Sequence, residues 1–448
     1  MLSVSQAEAR VAALVEKAVA AGADAADAIY SGGVSTQVQV RLGALEDVER
    51  SEGEEVGLRV FVGDRSASAS VSDLSDSAFD ALVERVVAMA REATPDQWAG
   101  LAPEDRLMRG DLPALDIEDA AESAPAALRE RALAAEDAAR GIAGVTNSEG
   151  GSASAGRSVM ALGTSAGFLR GYAGTSHGVS ASVLAGEGGA MQRDYAHHTA
   201  RHLSDLDDAA AIGAEAGERA VAKLAPAKLA SGAMPVVYDP RVSGGLIAPL
   251  IGAINGGAIA RKTSFLLDAL GEAVFAESVT IIDDPLRPRG LRSRPFDGEG
   301  LPTAPRAIID KGVLTGWLMN SAAARQLGLE PTGHATRGGG GAPGAGTSNV
   351  HMAAGAVSPA ALIADITLGI YVTELIGMGV NGVTGDYSRG AAGFLIENGE
   401  ITRPVAEVTV AGNLRDMYRA LTPADDLVFR YATNAPTVRI DGMTVAGG

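Results

Sequence analysis

The chain of 448 residues contains no cysteine. That absence excludes disulfides, thiolate metal sites and a cysteine nucleophile. Aromatic residues are scarce at 4%, so the cores have to be built from Ala, Val, Leu and Ile. Positive charge is short as well: 37 Lys and Arg stand against 55 Asp and Glu, a net charge of −18. A nucleic-acid partner normally demands a basic stripe. The densest basic stretch, residues 287–294, is short and interrupted by Pro288 and Gly290, so no direct nucleic-acid binding is expected. No apolar run approaches the roughly 18 residues a membrane span needs. The first ten residues lack the basic and apolar regions of a signal peptide. A cytoplasmic protein without a membrane partner is expected.

What is abundant is glycine, at 57 residues about twice the usual share. It concentrates at 377–399, GMGVNGVTGDYSRGAAGFLIENG, with seven glycines in twenty-three positions. Glycine serves where φ is positive or where another backbone comes close. The stretch predicts short strands joined by tight turns, presenting Asn381, Thr384, Asp386, Tyr387, Ser388 and Arg389 at the bends.

The length predicts more than one domain. Ser5 and Glu8 form a capping box ahead of Val11, Leu14, Val15 and Val19 at helical spacing. Three runs of period two follow (Val38/Val40/Leu42, Leu58/Val60/Val62, Ala67/Ala69/Val71) and predict an antiparallel meander. A second helix carries Phe79, Leu82, Val83, Val86 and Ala90. A Pro- and Asp-rich connection spans 94–125, and a third helix runs over 125–140. Short Ser-, Gly- and Ala-rich strands are expected over 145–193, then an acidic helix near 205–223. Residues 224–234 break both periods and mark a boundary between a domain at 1–225, itself subdivided near 94–125, and a second at 226–448. Beyond it a strand at 235–238 precedes an apolar, Gly-spaced helix over 243–260. Helices and strands come in blocks, which predicts α+β: an N-terminal mixed domain with an antiparallel sheet and a C-terminal β-rich domain with a buried Gly-rich helix.

Four constellations bear on chemistry. His198 and His202 lie four apart, so a helix would place both on one face as in zinc sites; Thr199 follows His198, leaving no Glu as general base, and the competing reading is a polar strand-to-helix junction with solvated histidines. The loop 336–349 holds six glycines but no Lys for a phosphate-binding loop, and reads as a mobile or site-covering loop. A Ser/His/acid triad finds no G-x-S-x-G elbow. The acids Asp283, Asp284, Asp297, Glu299, Glu374, Asp386 and Glu397 suit either a hard cation or turn caps and pairs with nearby Arg.

Taken together, 236–240, 263–265, 279–289 (VTIIDDPLRPR), 294–300 (RPFDGEG), 371–403 and 431–448 (YATNAPTVRIDGMTVAGG) resemble the TldD/PmbA family, also called TldD/TldE and linked by name to modulation of DNA gyrase. The resemblance implies a two-part peptidase complex. TldD-type subunits carry H-E-x-x-x-H on a helix, with a Cys ligand in a C-terminal loop; TldE/PmbA-type subunits are their partners. Here the His, Glu and His positions hold Ala248, Pro249 and Ala253, and 430–435 runs through where the Cys loop would lie. The resemblance therefore implies no catalytic residue or cofactor in this chain, and zinc in a TldD-type partner. It implies a heterodimer that processes or degrades unfolded peptides, with a homodimer in isolation also compatible. Asn381, Asp386, Tyr387 and Arg389 are candidates for gripping substrate or partner. The alternatives are an autonomous metallopeptidase using an atypical site such as His198 and His202, or a non-proteolytic peptide-binding or regulatory protein.

Overall fold

The computed structural model describes residues 1–447. Helix α1 (Val4–Ala20) starts at Ser3, whose hydroxyl accepts from the Gln6 amide while the Gln6 side chain accepts from the Ser3 N–H at 2.9 Å. The capping box therefore sits two residues before the one expected at Ser5, because Gln6 fills the role of the acid. The meander follows as β1 (Ala25–Arg41), β2 (Ala44–Val62) and β3 (Arg65–Val71), then α2 (Asp76–Glu92) capped by Ser75. After the connection come α3 (Pro125–Arg140), β4 (Val145–Thr164), β5 (Leu169–Ala185), β6 (Gln192–Ala200) and α4 (Ala209–Ala222). All six strands form one antiparallel sheet, β3-β2-β1-β4-β5-β6, which runs unbroken across the sequence on either side of 94–125.

The strands β4 and β5 span 20 and 17 residues, far longer than the short strands expected. The reason lies in the two faces. One face is apolar: Ala26, Ala28 and Tyr30 pack under α1 and α2, Val38 and Val40 under α3, and Val179, Ala181 and Val183 under α3 and α4. The other face carries Gly33, Ser35, Gly156, Ser158, Gly174 and Ser176, so hydropathy barely alternates along these strands.

The second half opens with β7 (Gly232–Tyr238), α5 (Pro240–Ser243), α6 (Ile247–Ala253) and α7 (Gly256–Ala260). The single helix expected over 243–260 is thus interrupted. A 3-10 turn occupies 244–246, and Asn255 starts a new helix by accepting from the Gly257 N–H. A small sheet follows: β8 (Ile281–Asp283), β9 (Arg306–Asp310) and β10 (Val313–Leu314), with α8 (Ser321–Leu327), the hairpin β11 (Ala335–Thr336) and β12 (Gly344–Ala345), and β13 (Val350–Met352). The chain continues through α9 (Pro359–Ile363), β14 (Leu368–Ile376), β15 (Asp386–Glu397), β16 (Glu400–Asn413), α10 (Leu414–Arg419), β17 (Leu421–Pro423), β18 (Thr433–Asn434) and β19 (Val438–Ala446).

The order β16-β15-β14-β7-β19 closes on itself, because Thr409, Val410 and Ala411 of β16 pair with β19. Closure leaves these strands without free edges over the paired length. Leu246, Ile247, Leu250 and Ile254 pack in one core with Val236, Tyr238, Val372, Tyr387 and Ile440 of this barrel.

The two halves meet at the polar face of the N-terminal sheet. Ile29, Leu162 and Phe168 pack on Phe296 and Leu301, with the two Phe rings edge to face at 5.0 Å. The glycine loop between β11 and β12 is part of this joint and not the mobile loop expected. A Cβ on Gly57 would overlap the carbonyl oxygen of Gly339, and the Gly340 carbonyl accepts from Ser68 at 3.2 Å. From the same loop Arg337, fully buried, reaches Asp27, which also binds Arg59 at 3.0 Å.

Candidate functional site

Three of the singled-out positions lie on α6. Ala248 is exposed, Pro249 half-buried and Ala253 only 3% exposed, facing the core. Helical geometry puts positions five apart on different sides, so a side chain at 253 would have to displace core atoms.

The glycine-rich stretch departs from the expected series of short strands. Residues 377–385 form a loop, and 386–397 are one continuous strand, β15. Asn381 is a true bend residue: its Oδ1 accepts from the Val383 and Thr384 amides at 2.9 and 3.2 Å. Asp386 is exposed and accepts from Thr384 at 2.6 Å and Asn413 at 3.2 Å, which hold its carboxyl below the usual range. Both residues are spent on holding the loop. Tyr387 is not at a bend; it is 2% exposed and points into the barrel core, where burial raises its phenol pKa. Arg389, on the same strand, turns into a cavity.

That cavity, about 430 Å³, is lined by Arg193, Asp194, Arg241, Gly245, Thr373 and Arg389 among others. Burial pushes the Asp194 carboxyl up, but Arg241 and Lys223 outweigh it and hold the group below its ordinary value. The lining comes from β6, the α5 region, β14 and β15. Of the lining residues Arg389, Glu374 and the 193–202 segment stand out in the sequence, Glu374 among the acids and that segment for its histidines alone.

The histidines do not form the helical pair of the zinc alternative, but lie where a strand leads towards a helix. His198 is in strand β6, where its Nδ1 accepts from the Asp207 N–H at 3.0 Å. His202 lies beyond the strand end and its Nε2 is 2.9 Å from the Asp116 carbonyl and 3.1 Å from the Asp116 carboxylate. Each pins a different loop, so neither is a freely solvated ring. Among the described residues no group of three or more His, Asp or Glu is arranged to hold a metal ion. The acids of the second half are likewise occupied: Asp283 accepts from Ser348, Asp297 from the Glu299, Leu301 and Ala335 amides, and Glu299 from Ser321.

Family models described as PmbA/TldA metallopeptidase domain 1, central domain and C-terminal domain match residues 26–90, 111–224 and 231–447. The chain belongs to the PmbA/TldD metallopeptidase family. It is 40% identical over 426 residues to a protein of Escherichia coli O157:H7 named metalloprotease PmbA, covering 95% of this chain and 92% of that one. A TldD homologue of Haemophilus influenzae is 29% identical over 52% of this chain and 51% of its own length. In structure the chain is similar to a candidate modulator of DNA gyrase from Bacteroides thetaiotaomicron, with a TM-score of 0.92, 29% identity and full coverage of both chains. TldE of Thermococcus kodakarensis shares the fold, with a TM-score of 0.86 at 21% identity over 98% of this chain and all of its own.

Zinc in peptidases of this kind needs three protein ligands and an open position. The positions that the family resemblance sets against its zinc motif offer two methyl groups and a pyrrolidine ring, none with a lone pair. The chain has no cysteine to add a thiolate. These residues do not fit the metal.

Proposed function

We propose that this chain is the non-catalytic PmbA/TldE-type subunit of a TldD/TldE zinc peptidase in the cytoplasm. It shapes the chamber and holds peptide, while the TldD-type partner carries zinc and the water-activating Glu. The observation that carries this reading is α6: it is a helix where the resemblance sets the family's zinc motif, and Ala248, Pro249 and Ala253 on it supply neither metal ligand nor base. Support also comes from the full-length likeness to a protein named PmbA, against a match over about half the chain to a TldD homologue.

The test is co-expression with a TldD-type subunit, followed by peptide cleavage assays on each chain alone and on the mixture. Cleavage is expected with the partner present and is expected to be lost with a chelator. Chelator-sensitive cleavage by this chain alone would refute the reading. Stable capture of the partner without cleavage in any combination would replace it with a regulatory role.

A further inference from the structure

The charges around the cavity beside α5 do not balance. Asp194, 2% exposed, accepts from Arg241 at 2.9 and 3.1 Å and pairs with Lys223 at 2.9 Å. Lys223 also reaches Glu374 at 2.6 Å, and Arg193 is held by Glu149 at 2.5 Å. Three cations and three carboxylates neutralise one another. Arg389 is left over. Among the described residues its one hydrogen bond runs from Nη2 to the Leu375 carbonyl at 3.5 Å, and its buried Nε has no partner.

Two hydroxyls close to this group are in the same condition. The Oγ1 of Thr373 and the hydroxyl of Tyr387, on residues 7% and 2% exposed, are buried without a hydrogen-bond partner. The Tyr387 hydroxyl lies in the barrel core between Tyr238 and Arg389, behind the cavity wall. Thr373 is there because β14 skips a residue: Val372 pairs with Gly393 and Glu374 with Ala392, leaving Thr373 in a bulge. Bulges re-aim side chains and concentrate beside functional sites. A Cβ on Gly245 would stand 3.9 Å from Nη1 of Arg389, so the missing side chain leaves the guanidinium uncovered on that side. Buried donors without partners are rare in native proteins, and three in one place call for an explanation.

We propose that this cavity binds a carboxylate, and that the carboxylate is the C-terminal group of a peptide. One uncompensated cation calls for one negative charge. The planar fork of Arg389 matches two carboxylate oxygens, and the Thr373 hydroxyl in the cavity wall adds a donor. A phosphate would bring a second charge towards Asp194 and Glu374. A peptide end needs only its last residues to fit a space of about 430 Å³, whereas a side-chain carboxylate brings main chain on both sides. The inference rests on the peptide-handling role proposed above and adds where the peptide's end is held.

The test is fluorescence anisotropy with the full chain and three N-terminally labelled hexapeptides of Ala, Ser and Gly. One has a free C-terminus, one is amidated, and one is amidated with a single internal Asp. The free acid is expected to bind roughly tenfold tighter than the amide or better, the scale of a charge-assisted hydrogen bond. Arg389→Gln should erase the difference and Arg389→Lys should keep part of it. Gly245→Leu fills the cavity without removing a hydrogen-bonded side chain; it should abolish binding with the unfolding midpoint unchanged. Equal binding of acid and amide, an Asp peptide that binds as well as the free acid, or no binding at all would overturn the proposal. No partner subunit is present, so this assay can fail while cleavage by the mixed subunits succeeds, and the reverse.

Discussion

Replacing Asp27 by Ala is expected to cost about 3–5 kcal/mol, because it strands buried charge. Asp27 is 2% exposed and is the shared counter-ion of Arg59 and Arg337. Among the described residues Arg337 has no other side-chain hydrogen-bond partner: its Nε and Nη2 are already unsatisfied, and its side chain has no solvent exposure. Arg59 loses its bonds at 3.0 and 3.3 Å in the same step. The assay is urea unfolding followed by a probe in each half, since the latch joins the N-terminal sheet to the glycine loop. In the double variant Asp27→Ala/Arg337→Met the stranded guanidinium is gone, so about 1–3 kcal/mol should return as coupling between neighbours. A loss below about 1 kcal/mol for Asp27→Ala, or a double variant no more stable than the single, would refute the charge argument. Acidity supplies a second arm. Burial pushes the Asp27 carboxyl up, but the two guanidiniums prevail and hold it below its usual value of 3.8. The unfolded chain therefore takes up that proton first, and this part of the stability is present above the unfolded value and lost as pH falls from about 4 towards the lower folded value.

Other expectations follow from single contacts. Gly57→Ala should destabilise by roughly 1–3 kcal/mol and expose the 336–345 loop to protease, because the added methyl meets the Gly339 carbonyl; unchanged proteolysis would contradict this. Ala253→His should cost a similar amount, roughly 1–3 kcal/mol by overpacking the core side of α6, without retention of zinc by metal analysis. His177 is 2% exposed, and burial lowers its pKa, opposed by Asp119 at 3.3 Å and reinforced by Arg131 and His202. The unfolded chain then binds this proton more readily, so stability falls as pH drops below about 6.5. His177→Gln should flatten that slope in part, since His197 and His198 shift the same way.

The helices were legible because each has one apolar stripe and a cap: Leu82, Val83 and Val86 behind Ser75, for example. The long strands β4 and β5 were not, because Ser and Gly on the face towards the second half erase the alternation on which strand reading depends. Gly244, Gly245 and Asn255 were visible, but their neighbours are so uniformly apolar that the periodicity ran across the breaks. The stretch 377–399 was misread at Tyr387 for a related reason. Glycines on either side suggest bends, whereas at Gly393 and Gly390 they permit close approach of the Tyr371 carbonyl and of Ile376. The cavity could not be read at all as a unit. Its bulge at Thr373 exists only through the register of β14 on β15, a pairing that no local pattern encodes.

The same helical stretch links what this chain has lost to what it has kept. Gly245, Ala248 and Gly252 are exposed and spaced three and four apart, which places them along one side of the segment. Small residues there remove any donor a metal could use, and that alone would leave an inert surface. Yet Gly245 opens onto Arg389, the one cation of the cavity without a carboxylate. A guanidinium retained half-buried and unpaired is a standing cost to the fold unless something anionic meets it. The segment that offers zinc no ligand at Ala248, Pro249 and Ala253 is therefore preceded, at Gly245, by the position that leaves room for a ligand's negative end.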